Sequence, residues 1–355
     1  MRIFAFIVYV ACLAKSAKVP LFFAFGDWGE PSGTMRQVVS RITRLPRPAF
    51  VALLGDSFYP KGVRSVDDEQ FRLFDSFFNI SDHFLVTLGN HDYGYPESVP
   101  SLIAYSAVDP KWVLPSAYYM RKVDLDNGFG ICLFVLDTHS FGREQLAWLE
   151  KSLRGCQEPN MYRIILTHYP LLTVGIYANS STVARLRSQI VPLIDRYGVH
   201  AYISGHEHQM QAFEFAGVHY IVSGATAQMD RKKGIDTTKW RDELKFANDR
   251  DAAVAVFSVN PKDGSSLFYE FVRATDGKVM YASQIPTVRP ESRLSVPLPE
   301  SKSIPQNLTR SQQVFVSERS TEESTSDPLS DLADKRSASV STFVVLLIAV
   351  GASVF

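Results

Sequence analysis

Five times along this chain a short apolar run stops and a polar loop follows at once. Val19–Phe25 leads into Gly26-Asp27-Trp28-Gly29, Ala49–Leu54 into Gly55-Asp56-Ser57-Phe58-Tyr59, and Phe84–Leu88 into Gly89-Asn90-His91-Asp92. Tyr162–Leu166 runs into Thr167-His168-Tyr169-Pro170, and Ala201–Ile203 into Ser204-Gly205-His206-Glu207-His208. Short apolar runs bounded in this way predict buried strands, as do Ile131–Leu136 and His219–Val222. Between them Arg143–Arg154 sets Leu146, Leu149 and Leu153 on one helical face, and Thr182–Tyr197 does the same with Leu186, Ile190, Val191 and Ile194. Strands alternating with helices predict an α/β fold with buried sheets. From Ala252 on, the runs Ala252–Val259, Ser266–Val272 and Val279–Ser283 are separated by Asp263-Gly264 and Asp276-Gly277, which predicts closing antiparallel strands.

In α/β folds the loops at the carboxyl ends of strands meet in one crevice. Singly, each of the five loops reads as an ordinary turn, a packing aromatic or a pair of surface histidines. In order, each directly after a strand, they bring together two carboxylates, a phenol, a carboxamide and several imidazoles. That is a ligand set for two metal ions.

Composition narrows the function classes. The chain is 46% hydrophobic and 12% aromatic, ample for a buried core. Lys+Arg and Asp+Glu both number 37, so no overall basic charge points to nucleic acid. Three cysteines are too few for a disulfide-stapled scaffold. Cys12 falls in the leader, and Cys132 in a strand and Cys156 at a helix end are expected as unpaired packing thiols.

The ends lie outside the fold. Residues 1–17 follow the order of a signal peptide, with Arg2, the apolar run Ile3–Ala14, then small residues. Residues 288–339 are rich in Ser, Pro and charge and read as a tether. Residues 340–355 are apolar or small, about 24 Å long as a helix, and suit either a removed lipid-anchor signal or a short membrane span. Sequons at Asn79, Asn179 and Asn307 agree with a secretory, extracytoplasmic route, and the apolar end with membrane anchorage at the C-terminus. The domain itself is expected over 18–287.

The loops as they stand resemble the metallophosphoesterase superfamily and, within it, the purple, tartrate-resistant acid phosphatases. The resemblance runs over about residues 20–286 and includes Lys111-Trp112 through Tyr118-Tyr119, Leu136-Asp137-Thr138, Gln145 to Leu149, Val222 to Ala225 and Met229-Asp230. Most members of the superfamily carry Asp-x-His in the first loop, where this chain has Asp27-Trp28-Gly29. In purple acid phosphatases a tyrosinate from the second loop replaces that imidazole, and Tyr59 stands there. The resemblance implies a four-layer α-β-β-α sandwich with the metal site at the carboxyl ends of the strands. It implies that Asp56 bridges two ions. Asp27, Tyr59 and His208 would complete an Fe(III) site, and Asn90, His168 and His206 a divalent site for Fe(II), Zn(II) or Mn(II). Two cations ~3.5–4 Å apart neutralise a phosphate and lower the pKa of a bound water, and the metal-bound hydroxide attacks a phosphate monoester in line.

Two departures from the family pattern bear on turnover and control. His91 can bind the phosphate or donate a proton, but the family's second histidine, past the His-Tyr-Pro loop, is absent and Tyr177 occupies its place. As a catalytic residue Tyr177 can hydrogen-bond the phosphate, but a phenol of pKa ~10 is a poor proton donor in acid. After Asp137-Thr138 only His139-Ser140-Phe141-Gly142 precede the next helix, so the long loop that is cut to activate mammalian-type members is missing. An open cleft without a proteolytic switch is expected. A rival reading comes from the glideosome-associated proteins, membrane-anchored structural members of the same fold with the same order of leader, domain, tether and apolar end. An anchor has no need of metal ligands, and this chain keeps the whole set.

Overall fold

Each apolar run expected as a strand is one in the computed structural model of the protein, which describes residues 20–287 apart from 76–78, 126–127, 231–233 and 260–265. The signal segment, the tether, the C-terminal apolar segment, Asn307 and the Asp263-Gly264 turn lie outside the described residues.

Strands and helices are numbered in chain order. One seven-stranded sheet contains β1 (Pro20–Phe25), β2 (Phe50–Leu54), β3 (Phe84–Thr87), β4 (Trp112–Val113), β12 (Ala253–Val259), β13 (Ser266–Arg273) and β14 (Val279–Pro286). Its order is β14-β13-β12-β1-β2-β3-β4. β1 to β4 are parallel, and the three closing strands join antiparallel at β1, as the turn signals predict. The other seven-stranded sheet holds β5 (Tyr119–Asp124), β6 (Gly130–Val135), β7 (Met161–Leu166), β8 (Ala201–Ser204), β9 (Met210–Phe215), β10 (Val218–Ser223) and β11 (Leu244–Asn248). Its order is β11-β9-β10-β8-β7-β6-β5, parallel through β6, β7, β8 and β10.

The sheets face each other across one core. Ile131, Leu133 and Val135 of β6 and Ile164 and Leu166 of β7 join the cluster that holds Phe22, Phe25, Leu53, Val86 and Phe257 of the first sheet. The alternate residues Phe134, Ile165 and Tyr202 are also buried but on the opposite face. There α4 (Arg143–Arg154) and α5 (Ser181–Arg196) supply Leu149, Leu153, Leu186 and Ile190. On the first sheet α1 (Gly33–Ile42) buries Met35, Val38 and Ile42, while the short helices α2 (Arg72–Asp75) and α3 (Ser98–Ala104) follow the second and third loops. The result is the four-layer α-β-β-α sandwich.

One expectation fails. Cys132 and Cys156 are not free thiols but a disulfide, their Cα atoms 6.7 Å apart across a sequence separation of 24. Cys132 points to the outer face of β6, and α4 returns over that face to end beside it.

Candidate metal centre

The five loops meet at the carboxyl ends of β1, β2, β3, β7 and β8. Asp27, Asp56 and His206 head three of them with φ of 57°, 53° and 68°. Non-glycine residues pay ~1–2 kcal/mol for this left-handed backbone, and such strain gathers at functional sites. Here the loops brace one another. The His206 amide donates to Asp27 Oδ2 at 2.9 Å, the His91 amide to Asp56 Oδ1 at 2.9 Å, and the Asp27 amide to the Gly55 carbonyl at 3.1 Å. Behind them Trp28 and Phe58 pack edge to face at 5.6 Å, with Phe71, Phe74 and Trp112 around them. That aromatic floor anchors the first two loops.

All seven expected ligands converge, and they sort themselves about Asp56. On its Oδ2 side stands the Tyr59 hydroxyl at 3.0 Å, itself 3.3 Å from both Asp27 Oδ1 and His208 Nε2. On its Oδ1 side His168 Nε2 stands at 3.4 Å, with Asn90 Oδ1 at 3.0 Å and His206 Nδ1 at 3.1 Å from that nitrogen. The two oxygens of one carboxylate therefore face two separate donor groups. His168 Nδ1 lies 2.8 Å from the Leu54 carbonyl, which it can donate to while Nε2 faces the site. Asp27, Asp56, His168 and His206 are buried; Tyr59, Asn90, His91, His208 and Tyr177 form a half-buried rim.

Gly29 is packed against the backbone of the second loop. A Cβ there would stand 2.6 Å from the Ser57 carbonyl group and the Phe58 amide, so no side chain fits without moving the second loop. The first loop has no room for an imidazole at this position, and the Tyr59 hydroxyl lies beside Asp27 and Asp56.

The electrostatics call for cations. No lysine or arginine forms an ion pair with Asp27 or Asp56 among the described residues, and buried carboxylates without a counter-charge are costly. Burial pushes the Asp56 carboxyl up, but His168 and His91 outweigh it and hold it below the usual range. Burial, with Asp56 and Asp27 beside it, drives the Tyr59 phenol well above 10, so it ionises only against added positive charge. Burial, with His168 and His208 nearby, keeps the His206 imidazole neutral, the ligating form. Burial opposes the charged form of His208, yet the hydrogen bond and charge of Asp27, with Asp230, lift it to about 9. One oxygen or nitrogen each from Asp27, Asp56 and His168 already lies within 4.8 Å of the others. Hard oxygen donors and imidazoles in this array fit metal ions.

Three carboxylates, Asp92 and Glu207 buried and Asp230 half-buried, hold the array, and none stands out in the sequence as a ligand. Asp92 accepts the Ser57 amide at 3.0 Å and the Gly89 amide at 2.8 Å, tying the second loop to the third. Glu207 accepts the Thr173 hydroxyl at 2.6 Å and the Tyr177 and Ile176 amides at 2.9 and 3.1 Å. Burial raises it to about 7. Asp230 accepts the His208 amide at 3.0 Å. Of the two expected catalytic residues, His91 lies over Tyr59, its ring 4.4 Å away, with Nε2 4.0 Å from Asp56 Oδ2 and Nδ1 2.7 Å from the Pro60 carbonyl. Tyr177 stacks on His206 at 3.9 Å. The turn from Asp137 to α4 is short, as read.

Known proteins are similar to this chain in sequence and in fold. Tartrate-resistant acid phosphatase type 5 of Oryctolagus cuniculus is 28% identical over 306 residues, covering 75% of this chain and 90% of its own. Purple acid phosphatase 4 of Arabidopsis thaliana is 26% identical over 285 residues, covering 70% and 79%. Among solved structures, GAP50, the anchor in the inner membrane complex of Plasmodium, superposes with a TM-score of 0.60 at 18% identity, covering 77% of this chain and 89% of its own. Purple acid phosphatase PPD1 of yellow lupin gives 0.53 at 17%, covering 75% and 53%. These superpositions speak for the fold. The sequence profile of the calcineurin-like phosphoesterases matches residues 21–210, more than half of the chain and all five loops. On that match the chain belongs to the calcineurin-like phosphoesterase family.

Proposed function

We propose that the protein is an acid phosphatase that hydrolyses phosphate monoesters at a dinuclear metal centre. The observation that carries this reading is the division of donors about Asp56, whose two oxygens face two groups. Asp27, Tyr59 and His208 would hold Fe(III), because phenolate and carboxylate favour the ferric state. Asn90, His168 and His206 would hold Fe(II), Zn(II) or Mn(II). When bound, the ions supply charge neutralisation for the phosphate and an activated water nucleophile. The chain's own part is to hold the donors rigid and to place His91 at the rim. With Nδ1 turned to the Pro60 carbonyl, a protonated His91 presents Nε2–H to a phosphate oxygen. The full chain loaded with metal is expected to hydrolyse monoesters best between pH 4 and 7, without inhibition by tartrate. Folded, metal-loaded protein inactive on every monoester tried would contradict this.

That outcome would favour the second reading, a membrane-anchored structural protein, for which the likeness to GAP50 is the supporting observation. Either function takes the domain through the secretory route to a membrane, with residues 340–355 acting either as a removed lipid-anchor signal or as a short span. Among the described residues no helix is long and apolar enough to cross one.

A further inference from the structure

The short turn after β6 does more than shorten a loop. Asp137 Oδ1 accepts the amides of His139 and Ser140 at 3.1 Å each, and its Oδ2 accepts the hydroxyl of Tyr93, three residues past Asn90. The Thr138 hydroxyl accepts the Tyr169 amide at 3.0 Å and the Thr167 hydroxyl at 2.8 Å, on either side of His168. The turn is thereby clamped to two of the three loops that carry the Asn90–His168–His206 group, those of Asn90 and His168. Its tip is His139, an exposed residue whose ring lies 4.5 Å from that of Tyr93 and 6.3 Å from that of Tyr169. Nδ1 stands 3.4 Å from the Tyr169 hydroxyl. Nε2 has no hydrogen-bond partner among the described residues. Tyr169 in turn lies against His206 at 4.2 Å, so one aromatic ring separates His139 from the donor cluster. His91 lies over Tyr59.

We propose that His139 is a second catalytic imidazole, which donates its Nε2 proton to the ester oxygen as that oxygen leaves phosphorus. The inference rests on the phosphatase reading above. Hydroxide forms the new P–O bond and the ester P–O bond breaks, its electron pair going to the departing oxygen. That oxygen takes the proton and leaves as the alcohol; the neutral imidazole is reprotonated from solvent. Tyr177 cannot serve, because a phenol donates poorly in acid and its ring is committed to stacking on His206. The groups facing His139 are Tyr93 and Tyr169, the carboxylates Asp137 and Asp56, and the imidazoles His168 and His91. Desolvation prevails over the carboxylates and holds the imidazole below its usual 6.5. Such a group is charged only in acid and is there a stronger donor.

The test compares wild type, His139→Ala and His139→Gln, each loaded with metal, on an alkyl phosphate and on 4-nitrophenyl phosphate. Poor leaving groups need the proton and good ones do not. Both variants are expected to lose ~10²-fold in kcat on the alkyl ester and less than ~5-fold on the nitrophenyl ester. Independently of turnover, inorganic phosphate should slow modification of His139 by diethyl pyrocarbonate, read by mass spectrometry, and spare exposed His83 at the amino end of β3. Hydrolysis with equal losses on both esters, or with no phosphate protection of His139, overturns the acid role alone. Hydrolysis of neither ester by the wild type defeats the phosphatase reading and the acid role with it.

Discussion

Asp56 concentrates the chemistry in one side chain, since each of its oxygens serves a different donor group. Asp56→Asn keeps the shape and removes the shared charge, so both metals and all activity should go together, measured by elemental analysis beside turnover. Gly29→Ala tests the cramped first loop. A Cβ 2.6 Å from backbone atoms must push the second loop aside, at about 1–3 kcal/mol. Its unfolding midpoint should fall and its metal content with it. Glu207 carries a pH dependence. Folded, it titrates at about 7 against 4.5 for the free group, so the folded state holds the proton more tightly. Its contribution, about 3 kcal/mol at most, is complete below pH 4.5 and is lost as pH rises through 7. Denaturant midpoints of the metal-free protein at pH 5 and 7.5 should show that slope in wild type and lose it in Glu207→Gln. The seven donors were legible because each follows a buried strand directly. Glu207, Asp92 and Asp230 were not, because their roles lie in which distant amides they accept.

At the scale of elements, the parallel strands that surfaced from sequence are buried on both faces, while the exposed edge strand β14 surfaced through the Asp276-Gly277 turn before it. β5 escaped because it is an edge strand in which Arg121 and Lys122 are exposed. β11 is a half-exposed edge, and β9 mixes Gln211 and Glu214 with its apolar residues. α1 had a visible stripe in Met35, Val38 and Ile42, but only ten residues to show it. The disulfide was hidden for another reason. Spacing along the chain does not say that α4 returns across the outer face of β6. Closing a loop of 24 residues is worth about 3 kcal/mol by chain entropy. Cys156→Ser should lower thermal stability by roughly that amount while metal content and turnover persist, since the bridge lies on the face away from the central core.

Across the whole molecule, the parallel halves of two sheets aim five loops at one place, and the loops carry carboxylates that only imidazoles, and no lysine or arginine, pair with among the described residues. Metal should therefore stabilise the fold as well as equip it, with a melting temperature that rises on loading and falls on chelation. The most direct test of the dinuclear site is the visible absorption and metal content of the purified full chain, with Tyr59→Phe beside it. The expected result is about two metal ions per chain, one of them iron, and a tyrosinate–Fe(III) band that colours the protein and vanishes in Tyr59→Phe. A colourless protein with one metal or none, and a Tyr59→Phe variant no different from it, would contradict the account.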